Sequence, residues 1–437
     1  MTMLFRAASL VLLGTLATPA FAEMANPPKI DAGDTAWMIA ATALVLMMTI
    51  PGLALFYAGM VRKKNVLATM AWSLSATMLV SVLWVVIGYT LTFSGEGKLL
   101  GNFDRLLLRG MGMESTNSLA ATIPESLFVM YQMTFAIITV ALVSGSVADR
   151  MRFSAFLWFA AGWLLLVYVP IAHWVWGNGF LMKYGILDFA GGTVVHLNAG
   201  VAGLVAAYVL GPRRGYGSEN LAPHDLSLAV IGTGLLWVGW FGFNGGSALG
   251  ANSRASMAII ATHLAASTGA LTWMVLEWFT RRKPSVLGMI SGAVAGLGTI
   301  TPASGFVAPW QGIVIGLIAG TLCFWACTKL KQRLGYDDSL DVFGVHGVGG
   351  FTGTMLTGVF AVAAISATSD GPGTAGLLEG NPKQLVIQAY GVLVTIIWSG
   401  VLTWGLLKVV QLFVPLRVSQ ENEVAGLDIT QHGEALQ

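Results

Sequence analysis

The sequence predicts an all-α polytopic membrane protein with eleven transmembrane helices. They form an inverted five-helix repeat (helices 1-5 and 6-10) plus an eleventh helix, with the N-terminus outside and the C-terminus inside. Three observations carry this prediction. Of 437 residues, 55% are hydrophobic and only 10% charged, against about 25% charged in soluble domains. Apolar runs long enough to cross about 30 Å of hydrocarbon recur between polar breaks. Two of these runs also share one local frame. "DFAGGTVVHLNAGVAG" from Asp188 and "DSLDVFGVHGVGGFTG" from Asp338 each place a histidine eight residues after an aspartate, at His196 and His346, with glycine at +4 and +7.

The elements follow in chain order. Residues 1-22 combine Arg6, the apolar core "LVLLGTLA" and the ending Ala20-Phe21-Ala22, the pattern of a cleavable signal peptide. A membrane domain then covers 23-417. Its apolar runs fall near 36-61, 66-93, 124-147, 153-175, 190-211, 226-249, 255-279, 285-304, 310-330, 341-362 and 384-414. A polar tail, 418-437, closes the chain.

Basic residues give the orientation. Arg62, Lys63, Lys64, Arg150, Arg152, Arg213, Arg214, Arg281, Arg282, Lys283, Lys329, Lys331 and Arg333 all fall at or just after the ends of odd-numbered runs. The alternate loops hold roughly half as many, so the odd-run loops and the tail are expected to be cytoplasmic. The expected location is a cell inner membrane, crossed many times. A formal net charge of +2 without a basic patch argues against a nucleic-acid partner. Cys323 and Cys327, one turn apart in an apolar run, suit neither a disulfide nor a zinc site.

His196 and His346 lie in runs that cross in opposite directions, and an inverted repeat brings corresponding positions together near the midplane. The glycines at +4 and +7, Gly200 with Gly203 and Gly350 with Gly353, line the same helix face and suit close backbone approach. One buried histidine alone reads as interhelical glue. Two in the same frame read as a pathway.

Trp240, Phe243 and Ser247 form one aromatic stripe, and Phe128, Tyr131 and Phe135 another. Trp174 and Trp176 close the fourth run. Singly these are interfacial or packing residues; together they form a cage for a small cation, with Ser247 as acceptor. Asp188 reads equally as a helix cap and as a carboxylate near the permeant ion. Asp338 and Asp341 read as caps or loop anchors, Glu277 as a partner of the basic cluster after it, and His173 as a wetted interfacial residue. HExxH and Walker patterns are absent and no cofactor is expected, so an enzyme is not indicated.

Read together, "IPGLALFYAGM", "DFAGGTVVHLNAG", "GWFGFNGGSA" and "DVFGVHGVGG" make the chain resemble the Amt/Mep/Rh ammonium transporter family, in its bacterial Amt branch. The likeness runs from about Trp37 to the tail. It implies a homotrimer in the lipid bilayer with one pore per subunit, and NH₄⁺/NH₃ as substrate. It also implies roles: Trp176, Tyr131, Ser247 and Asp188 for ammonium recruitment, Phe135 and Phe243 for the pore gate, and His196 and His346 for pore lining and proton relay. The tail is similar to the segment through which a cytoplasmic PII-type signal protein closes such pores. Rival readings are an electroneutral gas channel of the Rh type, passing NH₃ or CO₂, and an ammonium sensor.

Overall fold

The computed structural model describes residues 29-367 and 371-436, and these are helical throughout, joined by turns. The expected signal peptide, 1-22, lies outside the described residues. Among those described, nine helices are long and apolar enough to cross a membrane. They are α1 (Ala32–Met60), α2 (Lys63–Phe93), α3 (Glu125–Val147), α4 (Phe153–Tyr184), α5 (Gly192–Leu210), α6 (Leu226–Gly245), α7 (Ser253–Arg281), α9 (Pro309–Leu334) and α11 (Pro382–Phe413). Two shorter helical segments, α8 (Val286–Ile300) and α10 (343-360), pack among them. A short α12 (Gln420–Ala425) lies in the tail.

Local chemistry explains the starts. Asp31, Asp225, Asn252 and Ser285 each accept a first-turn amide at the head of α1, α6, α7 and α8. α8 ends at Ile300, short of the expected 304, because Thr301, Pro302 and the residues after them form turns. α10 begins at 343 because Asp338 accepts the amide of Phe343 at 2.7 Å, while Asp341 sits at a left-handed φ of 58°.

The glycine frame decides how the two histidine helices cross. A Cβ at Gly200 would strike the backbone of Gly347, and one at Gly350 would strike Leu197 and Gly192. The +4 glycines are therefore where α5 and α10 touch backbone to backbone. The +7 glycines face outward from the crossing, Gly203 onto Ser146 of α3 and Gly353 onto Thr299 of α8.

The tail does not hang free. Asp428 accepts the amides of Leu67 and Ala68 at the head of α2, at 3.1 and 2.8 Å, and Leu427 donates to Asn65 at 2.8 Å. Glu423, 2% exposed, pairs with Arg417 at 2.7 Å and accepts the amide of Arg214. Polar groups of the tail thus satisfy loops of the same chain. Asp149 joins this cluster through Arg62, Arg213 and Asn65.

Behind it, the buried Arg150 donates to the carbonyls of Gly211, Ala148 and Asp337 and to the Ser339 hydroxyl, tying α3 to the loop before α10. Burial pulls its guanidinium down to about 10, so it stays charged at neutral pH. Burial alone would raise Asp337, but the hydrogen bonds and charge of Arg213 outweigh it and hold the carboxyl below its ordinary range. That contribution to stability is present above the unfolded pKa and is lost only as acid protonates Asp337.

Candidate functional site

Three cavities lie in series through the bundle. The first, about 320 Å³, is lined by Trp176, Phe135, Ser247, Asp188, Gln132 and Arg254 among others. The Trp176 indole donates to the Asp188 carbonyl at 2.8 Å, and its ring meets Phe135 edge-on at 5.7 Å.

Ser247 gives its proton to the Phe243 carbonyl at 2.8 Å, which leaves the hydroxyl oxygen as an acceptor at the cavity wall. Tyr131 stands behind this wall, 1% exposed. Its hydroxyl reaches the Gly242 and Phe243 carbonyls at 3.1 and 2.9 Å and the Ser247 oxygen at 3.3 Å. Tyr131 therefore positions Ser247 and the end of α6, and its ring packs against Phe135 at 5.0 Å.

The Asp188 carboxylate is fully engaged. It accepts the amides of Gly191 and Gly192 on one oxygen and those of Thr193 and Val194, with the Thr193 hydroxyl, on the other. The cap reading describes its contacts, and its position on the cavity wall leaves its negative charge close to whatever enters.

Phe135 and Phe243 separate the first cavity from the second, with ring centroids 4.2 Å apart and a 38° tilt. The second cavity, about 10 Å³, has room for one molecule of water size. Its walls are apolar except for His196 and His346. The two imidazoles lie nearly parallel, 15° apart, with their Nδ1 atoms at 3.2 Å. One Nδ1 donates and the other accepts, so a single proton lies between the rings. His196 stacks on Trp240 at 5.5 Å, and its Nε2 is buried without a partner.

Each histidine sits in a π-helical turn, His196 in Gly192–Leu197 and His346 in Phe343–Gly347, and Phe243 sits in a third, Phe241–Gly245. Such wide turns interrupt a helix at functional positions more often than by chance. His346, Phe56 and Val294 line both the second cavity and the third, a space of about 280 Å³ at the opposite end. Arg213, Glu277, Arg281, Lys331 and Asp341 make that end densely charged. The route is thus wide and polar at both ends, narrow and apolar between, with one proton-bearing pair at the narrowest part.

A family model, the Ammonium Transporter Family, matches residues 36–436. The chain belongs to the ammonium transporter family. It is 50% identical over 411 residues to a protein of Aquifex aeolicus named ammonium transporter, covering 94% of each chain. A Bacillus subtilis protein of the same name is 47% identical over 402 residues, 92% of this chain and 98% of that one. The crystal structure of Candida albicans Mep2 superposes with a TM-score of 0.83 at 37% identity, over 90% of this chain and 87% of that one. With nine membrane-length helices among its described residues, this member of the ammonium transporter family is a multi-pass membrane protein.

Within this transporter-family fold, the structure brings together the residues singled out in the sequence: Trp176, Ser247 and Asp188 in one cavity, Phe135 against Phe243, and His196 against His346. The sequence reading missed three things. Trp240 appeared only as part of a stripe, and nothing in its spacing marked it as the face on which His196 rests. Arg254 gave no signal beyond its charge. The charged third cavity takes its charges from four separate segments, the loops at Arg213 and Asp341 and the helices α7 and α9. His173 also differs from expectation: it is fully buried, with its ring nitrogens 2.7 and 2.6 Å from the Thr92 and Gly97 carbonyls, because the turn after α2 folds over it. Glu277 does pair with Arg281, at 3.3 Å, and also accepts from Ser285 at the head of α8.

Proposed function

We propose that this protein carries ammonium across a cell inner membrane by separating the proton from the nitrogen. NH₄⁺ is recruited from outside at the cavity of Trp176, Ser247 and Asp188, backed by Tyr131. Past the Phe135 and Phe243 constriction it gives its proton to the imidazole pair, His196 first, and NH₃ passes the twin histidines. The observation that carries this reading is the buried His196 and His346 pair, 3.2 Å apart in an apolar space of molecular size between two polar cavities.

Dehydrating an intact cation in such a space costs several kcal/mol or more, a penalty that neutral NH₃ escapes. The unpartnered His196 Nε2 offers NH₃ a hydrogen bond, and the shared proton between the rings suits a relay to the far side. The proton removed from NH₄⁺ travels by the imidazoles, and NH₃ takes up a proton again in the charged third cavity. Charge therefore moves with each cycle, which distinguishes this reading from an electroneutral gas channel.

The same reading has α8 and α10 crossing the membrane with the other nine, as an inverted repeat with the N-terminus outside and the C-terminus inside. The reciprocal contacts of Gly200 with α10 and Gly350 with α5, and of Gly203 with α3 and Gly353 with α8, support it. Liposomes holding the purified protein should pass current on an ammonium pulse and none on a potassium pulse. Ammonium uptake without current would overturn the separation of charge from nitrogen.

Cation-π attraction at the mouth predicts that Trp176→Leu weakens half-saturation by about five- to thirtyfold, the equivalent of about 1-2 kcal/mol. Unchanged half-saturation in a folded variant removes Trp176 from recruitment. The assembly in this reading is a homotrimer whose tails, 418-437, present a PII-type signal protein with its docking site. A pull-down from membranes should recover that partner with the full chain and not with a chain ended at Arg417. Equal recovery would remove the docking role of the tail.

A further inference from the structure

We propose that Arg254 is a specificity-determining residue of the outer cavity, imposing a charge penalty on every entering cation that ammonium offsets by donating N–H groups and metal cations do not. The inference rests on the reading of this cavity as the ammonium entrance.

Arg254 lines the cavity with Trp176, Ser247 and Asp188. Its guanidinium lies over two rings, 5.1 Å from the Phe189 centroid and 4.9 Å from that of Phe306, and its Nε donates to the Gly305 carbonyl at 2.8 Å. Phe189 and Phe306 meet edge to face at 5.5 Å, and Phe189 lies so close over Gly305 that a Cβ there would strike the ring. The cation is therefore held in one place by packing.

Its position is unfavourable for stability. Asn252 caps α7, so Arg254 falls in the first helical turn, where the backbone dipole already presents positive charge. None of the ion pairs among the described residues includes it. Asp188, the nearby carboxylate of the cavity, spends both oxygens on the head of α5. A charge placed against the local field, with no ion-pair partner among the described residues, is the kind of local conflict that functional residues carry.

Its effect follows from charge and hydrogen bonding. A fixed positive charge repels K⁺ and NH₄⁺ equally and a divalent cation twice as strongly. NH₄⁺ offsets the loss by donating N–H groups to the Ser247 oxygen and toward the Trp176 π face at once, whereas a metal cation has no N–H to donate and meets one hydroxyl oxygen in place of a full hydration shell. By engaging Phe189 and Phe306, Arg254 also takes up the two aromatic faces that offer no hydrogen-bond acceptor alongside. A metal cation therefore finds Phe189 and Phe306 already engaged by the guanidinium.

The test uses the full chain in liposomes, with ammonium half-saturation, maximal rate and inhibition by potassium measured for wild type, Arg254→Met, Arg254→Lys and Trp176→Leu. Arg254→Met keeps the apolar stem without the charge. Its half-saturation should fall by about three- to tenfold, the scale of one charge acting across a partly solvated cavity, with the change in half-saturation exceeding that in maximal rate and potassium becoming an inhibitor. Arg254→Lys should retain the wild-type values within about twofold, because charge matters here more than the planar fork.

Raising ionic strength with N-methylglucamine chloride should lower the wild-type half-saturation by screening. That measurement decides the matter even if Arg254→Met fails to fold. A flat half-saturation in Arg254→Met or a flat salt response in wild type overturns the charge penalty, as does an equal shift in Arg254→Lys, which would mean packing alone. If Trp176→Leu shifts while Arg254→Met stays flat, only the role of Arg254 falls. If Trp176→Leu stays flat, the entrance reading falls and takes this inference with it.

Discussion

Replacing His346 or His196 with leucine is expected to cut ammonium-driven charge movement by about a hundredfold or more, the scale on which a positioned acid-base group acts. The rings meet through their Nδ1 atoms at 3.2 Å, so either substitution removes the imidazole to which the other is hydrogen-bonded. The double variant should be no worse than the singles, because a relay is broken at its first missing member. The double variant should fold like wild type, since removing both members of a buried polar pair is nearly neutral, whereas each single strands one imidazole at a cost of about 1-3 kcal/mol.

Potassium supplies the sharper readout. An apolar lining widened by loss of an imidazole can hold an intact cation with some water, so discrimination against potassium should weaken in either single variant. Currents from ammonium and from potassium in the same liposomes check both expectations. Wild-type ammonium current with intact selectivity in all three variants would falsify the relay and leave the histidines as interhelical glue.

The largest loss of stability is expected from Asp188→Ala. Its carboxylate accepts four backbone amides and one hydroxyl in the first turn of α5, all buried. Each hydrogen bond to a charged group contributes about 1.5-3 kcal/mol net, and removing the acceptor strands the whole set of donors away from water. The turn that would come apart is the π-helical one holding His196.

Asp188→Asn keeps one oxygen but turns an amide NH₂, itself a donor, toward the donors on the other side, so it should retain only part of the wild-type stability. Thermal unfolding in detergent, with transport in parallel, tests the series. If Asp188→Ala melts within a few degrees of wild type, the cap is not structural. If Asp188→Asn folds like wild type yet fails to recruit ammonium, its charge acts on the substrate directly.

The asymmetry between the two aspartates shows where sequence reasoning reached its limit. Asp188 and Asp338 hold identical places in the repeated frame, and both turned out to serve helix starts. Asp338 takes only the Phe343 amide, however, and its Oδ1 is buried without a partner. Equal spacing along the chain says nothing about how many amides a local turn will aim at a carboxylate. Likewise Tyr131 was legible as a member of the Phe128, Tyr131 and Phe135 stripe, but helical spacing gives only the face. Whether its ring or its hydroxyl would serve the cavity depended on α6 ending beside it with the Gly242 and Phe243 carbonyls exposed to bonding.

By itself the sequence determined the membrane class, the approximate helical runs and the pairing of two histidine frames, because these depend on apolar length and on periods of three to four residues along one helix. The candidate recruitment and gate residues came from the motifs the chain shares with the ammonium transporter family, since aromatic residues at those spacings read singly as interfacial or packing groups. The tertiary structure decided the Nδ1 to Nδ1 contact, the Phe135 and Phe243 partition, the stacking of Trp240 on His196, the place of Arg254 over two rings, and the docking of the tail on its own loops. Each of these joins residues from different helices or loops, at separations set by glycine-to-glycine approach and by π-helical turns. A helix crossing is settled by the packing of all its neighbours at once, and no local period along the chain carries that information.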